Sequence, residues 1–233
     1  MSTAFDLRDV DVRYGDVCAL SHITLQIRAG ERVALVGANG SGKSTLLRLL
    51  HGLATPARGT ARCMDRSRQA MLFQRPYMLR MSVRNQVSIA LWLRGRRWRE
   101  ARTLALQALA RVDMAHLAER NARALSGGQQ QRLALAQAWA CRPDALLLDE
   151  PTASLDPRAK REVEILMDEF AQPRNGHEIT MIFSSHNLAQ VRRLADRVIY
   201  LENGRVIVDL PIEQFFTGPL PESARLFVTG ESL

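Results

Sequence analysis

Gly37-Ala38-Asn39-Gly40-Ser41-Gly42-Lys43-Ser44-Thr45 is the stretch on which the reading of this chain turns. It fits G-x-x-x-x-G-K-[ST], the P-loop or Walker A pattern. The apolar run Val33-Ala34-Leu35-Val36 before it reads as a short buried strand, and Leu46-Leu47-Arg48-Leu49-Leu50 after it as a helix. Phosphates carry several negative charges, and successive backbone N–H groups can wrap them only where no Cβ intervenes. Gly37, Gly40 and Gly42 allow that path. A helix starting near Lys43 points free N–H groups and the positive end of its dipole at the same place. In this pattern Lys43 brings a point charge to the β- and γ-phosphates, and the Ser44 hydroxyl is a Mg2+ ligand. Ala38, Asn39, Ser41 and Thr45 fill out the cradle. The motif alone specifies a nucleoside triphosphate, not a reaction.

The 233 residues suffice for one α/β domain with a proper core. The longest apolar runs, such as Val87-Ser88-Ile89-Ala90-Leu91-Trp92-Leu93, are too short to cross a bilayer. The N-terminus shows neither a basic region nor an apolar core of a signal peptide, so a cytosolic protein is expected. Cys18, Cys63 and Cys141 are scattered, odd in number and without metal spacing, which reads as free thiols in a reducing compartment. The net charge of +8 is carried mostly by arginine. No basic motif interleaved with aromatics accompanies it, so no nucleic-acid partner is expected; attraction to an anionic membrane face or an acidic partner stays open.

Residues 5–15 and 20–27 alternate apolar and polar, predicting an antiparallel β layer ahead of the nucleotide core. Tyr14 ends its first strand, either as a half-buried strand aromatic or as a stacking platform for a base. Gly52 is placed to cap the first helix, and Met71-Leu72-Phe73 predicts a short strand running into Gln74. Ser82 caps a helix broken by Gly95; a second puts Trp98, Ala101, Ala105, Ala108, Leu109 and Val112 on one face. Arg94, Arg96, Arg97 and Arg99 cluster at their junction as a solvated basic turn. Leu125-Ser126-Gly127-Gly128 opens a helix reaching Cys141. Ala145-Leu146-Leu147-Leu148 and Thr180-Met181-Ile182-Phe183-Ser184 are continuous apolar runs, as strands buried on both faces require. Residues 198–201 and 205–208 flank Asn203-Gly204 and predict a hairpin. The tail from Pro211 shows little periodicity.

Asp149-Glu150 closes the buried run 145–148 with two acids, the Walker B arrangement: Asp149 to hold Mg2+ and Glu150 to polarise the attacking water. Leu125-Ser126-Gly127-Gly128-Gln129-Gln130-Gln131-Arg132 resembles the signature motif of ATP-binding cassette (ABC) ATPases. The family's other elements follow in order over nearly the whole chain. Tyr14 matches the adenine-stacking aromatic, Gln74 the Q-loop glutamine, Ser154-Leu155-Asp156 the D-loop, and His186 the switch histidine. The resemblance implies an α/β P-loop NTPase fold: a mixed, largely parallel sheet core, an N-terminal antiparallel β layer and a helical signature subdomain. It implies a single domain over 1–233 with helices at about 76–141 inserted in a RecA-like core. It also implies ATP and Mg2+, with Ser44, Gln74 and Asp149 at the metal and Glu150, His186 and Gln74 catalytic. Ser126, Gly127, Gly128 and Gln129 would contact the nucleotide on a second copy packed head to tail. His22, His51, His116 and His177 lack motif context and are expected at the surface or in packing.

ABC ATPases drive membrane permeases or, less often, act on nucleic acid or ribosomes. The resemblance favours a separate importer subunit, peripheral on the inner face of the cell membrane, with an extracytoplasmic solute-binding protein in the same system. An exporter ATPase or a soluble ABC factor is the alternative. A permease is expected to dock near Gln74-Arg75-Pro76-Tyr77-Met78-Leu79, where Tyr77, Met78 and Leu79 form an exposed socket or else pack in the core. The stretch 52–74 is short and lacks the usual glycine-then-aspartate turn, leaving Asp65 alone and the β arm reduced. With Leu91-Trp92-Leu93-Arg94-Gly95 and a tail ending near Gly230-Glu231, without an appended regulatory domain, the chain resembles tungstate- or phosphate-type oxyanion importers.

Overall fold

Two burial patterns sort the strands. The two long strands that alternate buried and exposed side chains pair in one sheet, and those buried along their length form the middle of another. The computed structural model describes residues 2–172 and 178–230; His177 and Glu231 lie outside them. In chain order the elements are β1 (Thr3–Tyr14), β2 (Val17–Arg28), β3 (Arg32–Val36), α1 (Lys43–His51), β4 (Arg58–Cys63), β5 (Gln69–Leu72), α2 (Val83–Leu93), α3 (Trp98–Arg111), α4 (Gly127–Ala140), β6 (Ala145–Leu148), α5 (Pro157–Ala171), β7 (Thr180–Ser184), α6 (Leu188–Leu194), β8 (Arg197–Glu202), β9 (Arg205–Pro211), α7 (Ile212–Thr217) and α8 (Glu222–Thr229).

The first sheet runs β2-β1-β4 and is antiparallel throughout. The second runs β5-β6-β7-β3-β8-β9; its strands are parallel except β9, which returns antiparallel beside β8. Asn203 and Gly204 both take positive φ (47° and 73°), the twist a two-residue hairpin turn requires.

Period-two alternation splits the parallel strands between two cores. Val33, Leu35, Ala145, Leu147 and Ile182 face the antiparallel sheet, with Leu46, Leu47, Leu49 and Leu50 of α1 between the sheets. Ala34, Val36, Leu146, Leu148, Met181 and Phe183 face the helical side, with Val83, Leu109, Leu133 and Met167. Because the central strands are parallel, their carboxyl ends gather at one edge. There β3 delivers the phosphate loop, β5 leads to Gln74, β6 to Asp149 and Glu150, and β7 to His186. Among the described residues no helix is long and apolar enough to cross a membrane.

Several expectations change. The tail is ordered as α7 and α8: Phe215 is wholly buried, and Tyr200 of β8 packs on Phe227 with ring centroids 5.5 Å apart and planes tilted by 54°. Residues 58–63 form β4, an edge strand whose sequence carries no apolar alternation. The strand before Gln74 ends at Leu72, leaving Phe73 exposed. Trp98 lies off the buried face of α3, 41% exposed. Arg94 is not simply solvated: its guanidinium donates to the carbonyls of Gln69 and Cys141, tying the end of α2 to the sheet. Of the socket residues, Tyr77 is exposed (73%) but Met78 is buried in the helical-side core.

Candidate nucleotide site

The phosphate loop is shaped by contacts that only glycine tolerates. Gly37 has φ 140°, and a Cβ there would stand 2.1 Å from the Leu201 carbonyl oxygen of β8. Gly42 (φ 107°) precedes α1 directly, with Leu20 Cδ2 2.8 Å from where its Cβ would be. No side chain caps α1, so its first N–H groups stay available. Gly52, in the left-handed region, closes the other end of α1, its N–H meeting the carbonyls of Arg48 and Leu49.

A cavity of about 490 Å3 lies over this loop, lined by Val17, Cys18, Ala19, Asn39, Gly40, Gly42, Lys43, Ser44, Thr45, Gln74, Glu150, Asn203 and Gly204. Lys43 is buried and folded back: its Nζ donates to the carbonyls of Gly37 and Ala38, each at 2.8 Å. Burial lowers its pKa, while the nearby charges of Glu150 and Asp149 pull it back up. The Ser41 hydroxyl is buried without a hydrogen-bond partner among the described residues, a polar atom left for a ligand to satisfy.

Behind the loop the carboxyl ends of β6 and β7 are stitched together. Ser44 Oγ donates to Asp149 Oδ1 at 2.9 Å, and Ser184 Oγ donates to the same oxygen at 2.8 Å. Ser184 Oγ also accepts the Glu150 N–H at 2.8 Å. Glu150 holds φ 44°, a left-handed conformation costing of order 1–3 kcal/mol outside glycine. Its carboxylate is framed on both sides: Oε1 lies 2.7 Å from His186 Nε2, and Oε2 accepts from Gln74 Nε2 at 3.3 Å. So Gln74, Asp149, Glu150 and His186, far apart in sequence, meet at one edge of the loop.

Ser44 and Asp149 offer hard oxygen donors in contact, a set that suits Mg2+. No cluster of three His, Cys, Asp or Glu side chains occurs among the described residues. Beyond Gln74, which lines the same cavity, a magnesium ion here would rely on phosphate oxygens and water for its other ligands.

Tyr14 sits at the end of β1, half exposed, opposite Val17 of the cavity wall. The signature residues lie elsewhere. Ser126 caps α4: its Oγ accepts the Gln129 N–H at 3.4 Å, and Gln129 Oε1 accepts the Ser126 N–H at 3.0 Å. Gly127 and Gly128 form the first helical turn beside α5, where a Cβ on Gly128 would come 2.8 Å from Ala159 Cβ. None of these four lines the loop cavity. Removing this cap in Ser126→Ala should cost about 1 kcal/mol. Thermal unfolding should register that as a melting point lowered by about 2–4 °C; an unchanged melting point would show that the box does not hold α4.

Cys18, Ala19, Asn203, Gly204 and Ser184 are site residues without a motif. The Gly204 N–H donates to the Ser41 carbonyl, and its Cα would crowd any Cβ on Gly42. Only the pairing of β8 beside β3 brings that hairpin to the loop.

The protein-family model described as ABC transporter matches residues 20–153. A phosphate import ATP-binding protein of Natronomonas pharaonis is 36% identical over 244 residues, covering 94% of this chain and 84% of that protein. A nickel import ATP-binding protein of Rhodobacter capsulatus is 39% identical over 226 residues, covering 88% of each. A solved dimeric ATP-binding cassette in a post-hydrolysis state, bound to ADP and Pi, matches with a TM-score of 0.79 at 27% identity, covering 89% of this chain and 98% of that one. The family match spans more than half of the chain and the identities exceed one third along most of it, so this chain belongs to the ABC transporter family, as an ATP hydrolase of the ABC type.

Proposed function

We propose that this chain is the ATP-hydrolysing subunit of an importer, working as a pair of copies on the inner face of a membrane beneath separate permease subunits. The observation that carries the catalytic part is Glu150, whose carboxylate lines the phosphate-loop cavity between His186 and Gln74. ATP rests with its phosphates on residues 37–45 and its base against Tyr14. Water then attacks the γ-phosphorus in line. The β–γ bridging P–O bond breaks, giving ADP and inorganic phosphate, and Glu150 takes the proton of the water. His186 steadies Glu150 and contacts the γ-phosphate. Lys43 supplies positive charge, and Gln74 senses loss of the γ-phosphate at the start of the segment leading to α2. Ser44, Asp149 and Gln74 would hold Mg2+, which would supply charge neutralisation at the phosphates.

The half-site at α4 supports the pairing. Residues 76–141 form a helical subdomain presenting Ser126, Gly127, Gly128 and Gln129 at a helix N-terminus outside the chain's own cavity, where anions are favoured. Placed head to tail, each copy covers the phosphates of the other with this end. The dimeric relative bound to ADP and Pi supports a pair of copies. The relatives named for phosphate and nickel import support import and a permease partner; docking beside Gln74 would use exposed Tyr77. A solute-binding protein outside the membrane completes the proposed system. For cargo we favour an oxyanion, on the resemblance to tungstate and phosphate systems. The nickel relative is the counter-reading, and uptake of labelled tungstate and phosphate against nickel decides between them.

Cys18 provides a probe of nucleotide placement that does not depend on turnover. It is exposed in the cavity wall, whereas burial pushes the Cys63 thiol up to about 11 and raises that of Cys141. Iodoacetamide at pH 8 should label Cys18 first. ATP at ten times its dissociation constant should slow that labelling about tenfold. Labelling indifferent to ATP would move the nucleotide away from this cavity.

A further inference from the structure

The carboxyl ends of β6 and β7 are joined twice. Ser184 makes the first join, directly behind Asp149 and Glu150. The second is made by Gln190 of α6, a side chain with no solvent exposure. Its Oε1 accepts the Ser185 hydroxyl at 2.6 Å, and its Nε2 donates to Thr152 Oγ1 at 3.1 Å. Thr152 belongs to the turn that follows Glu150; Ser185 immediately precedes His186. The loop is further held by Asn187, whose N–H donates to Ser185 Oγ and whose Oδ1 accepts the Gln190 N–H. Thr152 and Ser185 are themselves buried. An amide bridging two buried hydroxyls in a dry setting has few other arrangements open to it, because each group left without its partner is costly.

We propose that Gln190 is a positioning residue: it fixes the distance between Glu150 and His186 by clamping the turn after one to the loop before the other. It touches neither reacting atom nor phosphate. Its contribution is to hold the 2.7 Å contact of the pair in the geometry that orients the attacking water. A clamp of this kind acts on turnover rather than on nucleotide binding, since the phosphate loop does not pass through it.

Gln190→Leu keeps the approximate volume and removes both bonds. Its kcat should fall by about 30-fold, within the range a misplacement of about 1 Å produces, while KM for ATP stays within about twofold. Gln190→Glu keeps two oxygens that can accept from the Ser185 and Thr152 hydroxyls, and should recover kcat to within about threefold of wild type. Wild-type kcat in Gln190→Leu would overturn the proposal. So would an equal fall in Gln190→Leu and Gln190→Glu, or a rise in KM matching the loss of kcat. Should Gln190→Leu not fold, Thr152→Val releases one end of the clamp and Ser185→Ala the other, the latter together with the bond from the Asn187 N–H. A lowered kcat with unmoved KM in both supports the clamp, and unchanged kcat in both rejects it. The inference rests on the roles given to Glu150 and His186. Full turnover by Glu150→Gln would reject those roles, whereas an inert Glu150→Gln beside a fully active Gln190→Leu would reject the clamp alone.

Discussion

Glu150→Gln is expected to bind ATP as the wild type does and to release phosphate about 10²–10⁴-fold more slowly, the range covered by loss of a general base. The amide has nearly the same shape as the carboxylate. It can still meet His186 on one side and Gln74 on the other, and its backbone N–H still reaches Ser184. What it lacks is a basic oxygen able to take a proton from water. Binding and folding should therefore be spared while the chemical step is lost. With turnover blocked, copies closed on ATP have no route to reopen, so light scattering in Mg2+ and ATP should show a stable species of twice the monomer mass. Single-turnover phosphate release at close to the wild-type rate would remove Glu150 from the role of base.

The second large effect is expected at Gly37. An alanine methyl there would lie 2.1 Å from the Leu201 carbonyl oxygen and 2.9 Å from Ser41 Oγ, on a backbone with φ 140°. The Ser41 hydroxyl could rotate aside, but the nearer obstacle is backbone, so the loop itself must leave β8. Gly37→Ala should cost about 3 kcal/mol or more in stability. That corresponds to a melting point lowered by about 6–12 °C, and ATP protection of Cys18 should disappear with it. Gly40 provides the control: it also has positive φ (78°), but nothing lies within 4 Å of its missing Cβ. Gly40→Ala bears only the backbone term, about 1–2 kcal/mol. Equal melting points for the two variants would mean that the Leu201 contact does not constrain the loop.

The parts of the site that could be read from the sequence are local ones. The phosphate loop, the acids after β6 and the start of α4 at Ser126 each depend on neighbours within a few residues, so composition and spacing carry them. The apolar runs of β3, β6 and β7 were legible for the same reason. Long-range pairing was not. Nothing in Asn203-Gly204 says that its hairpin will roof the phosphate loop, and nothing in Ser184 or Gln190 marks either as a strut between strands. Residues 58–63 lack an apolar stripe because β4 buries none of its side chains fully. The tail helices span only six and eight residues, too few turns to display a 3.6-residue period, and Pro211 and Pro221 at their starts look like loop residues. Tyr77-Met78-Leu79 is a run of three apolar residues, which cannot say which of them turns inward; packing sends Met78 in and leaves Tyr77 out.

The folded-back posture of Lys43 bears on how the cycle stays reversible. Two of its three N–H groups are already taken by carbonyls, so an arriving phosphate finds one free and competes for the other two. What the newcomer gains there is only the margin of an anionic oxygen over a neutral one, and that margin widens with the negative charge the nucleotide presents. A triphosphate wins the exchange more decisively than the diphosphate left after cleavage. When the charge drops, Gly37 and Ala38 can reclaim the lysine, and the loop is returned to its starting posture by its own backbone as the spent nucleotide goes.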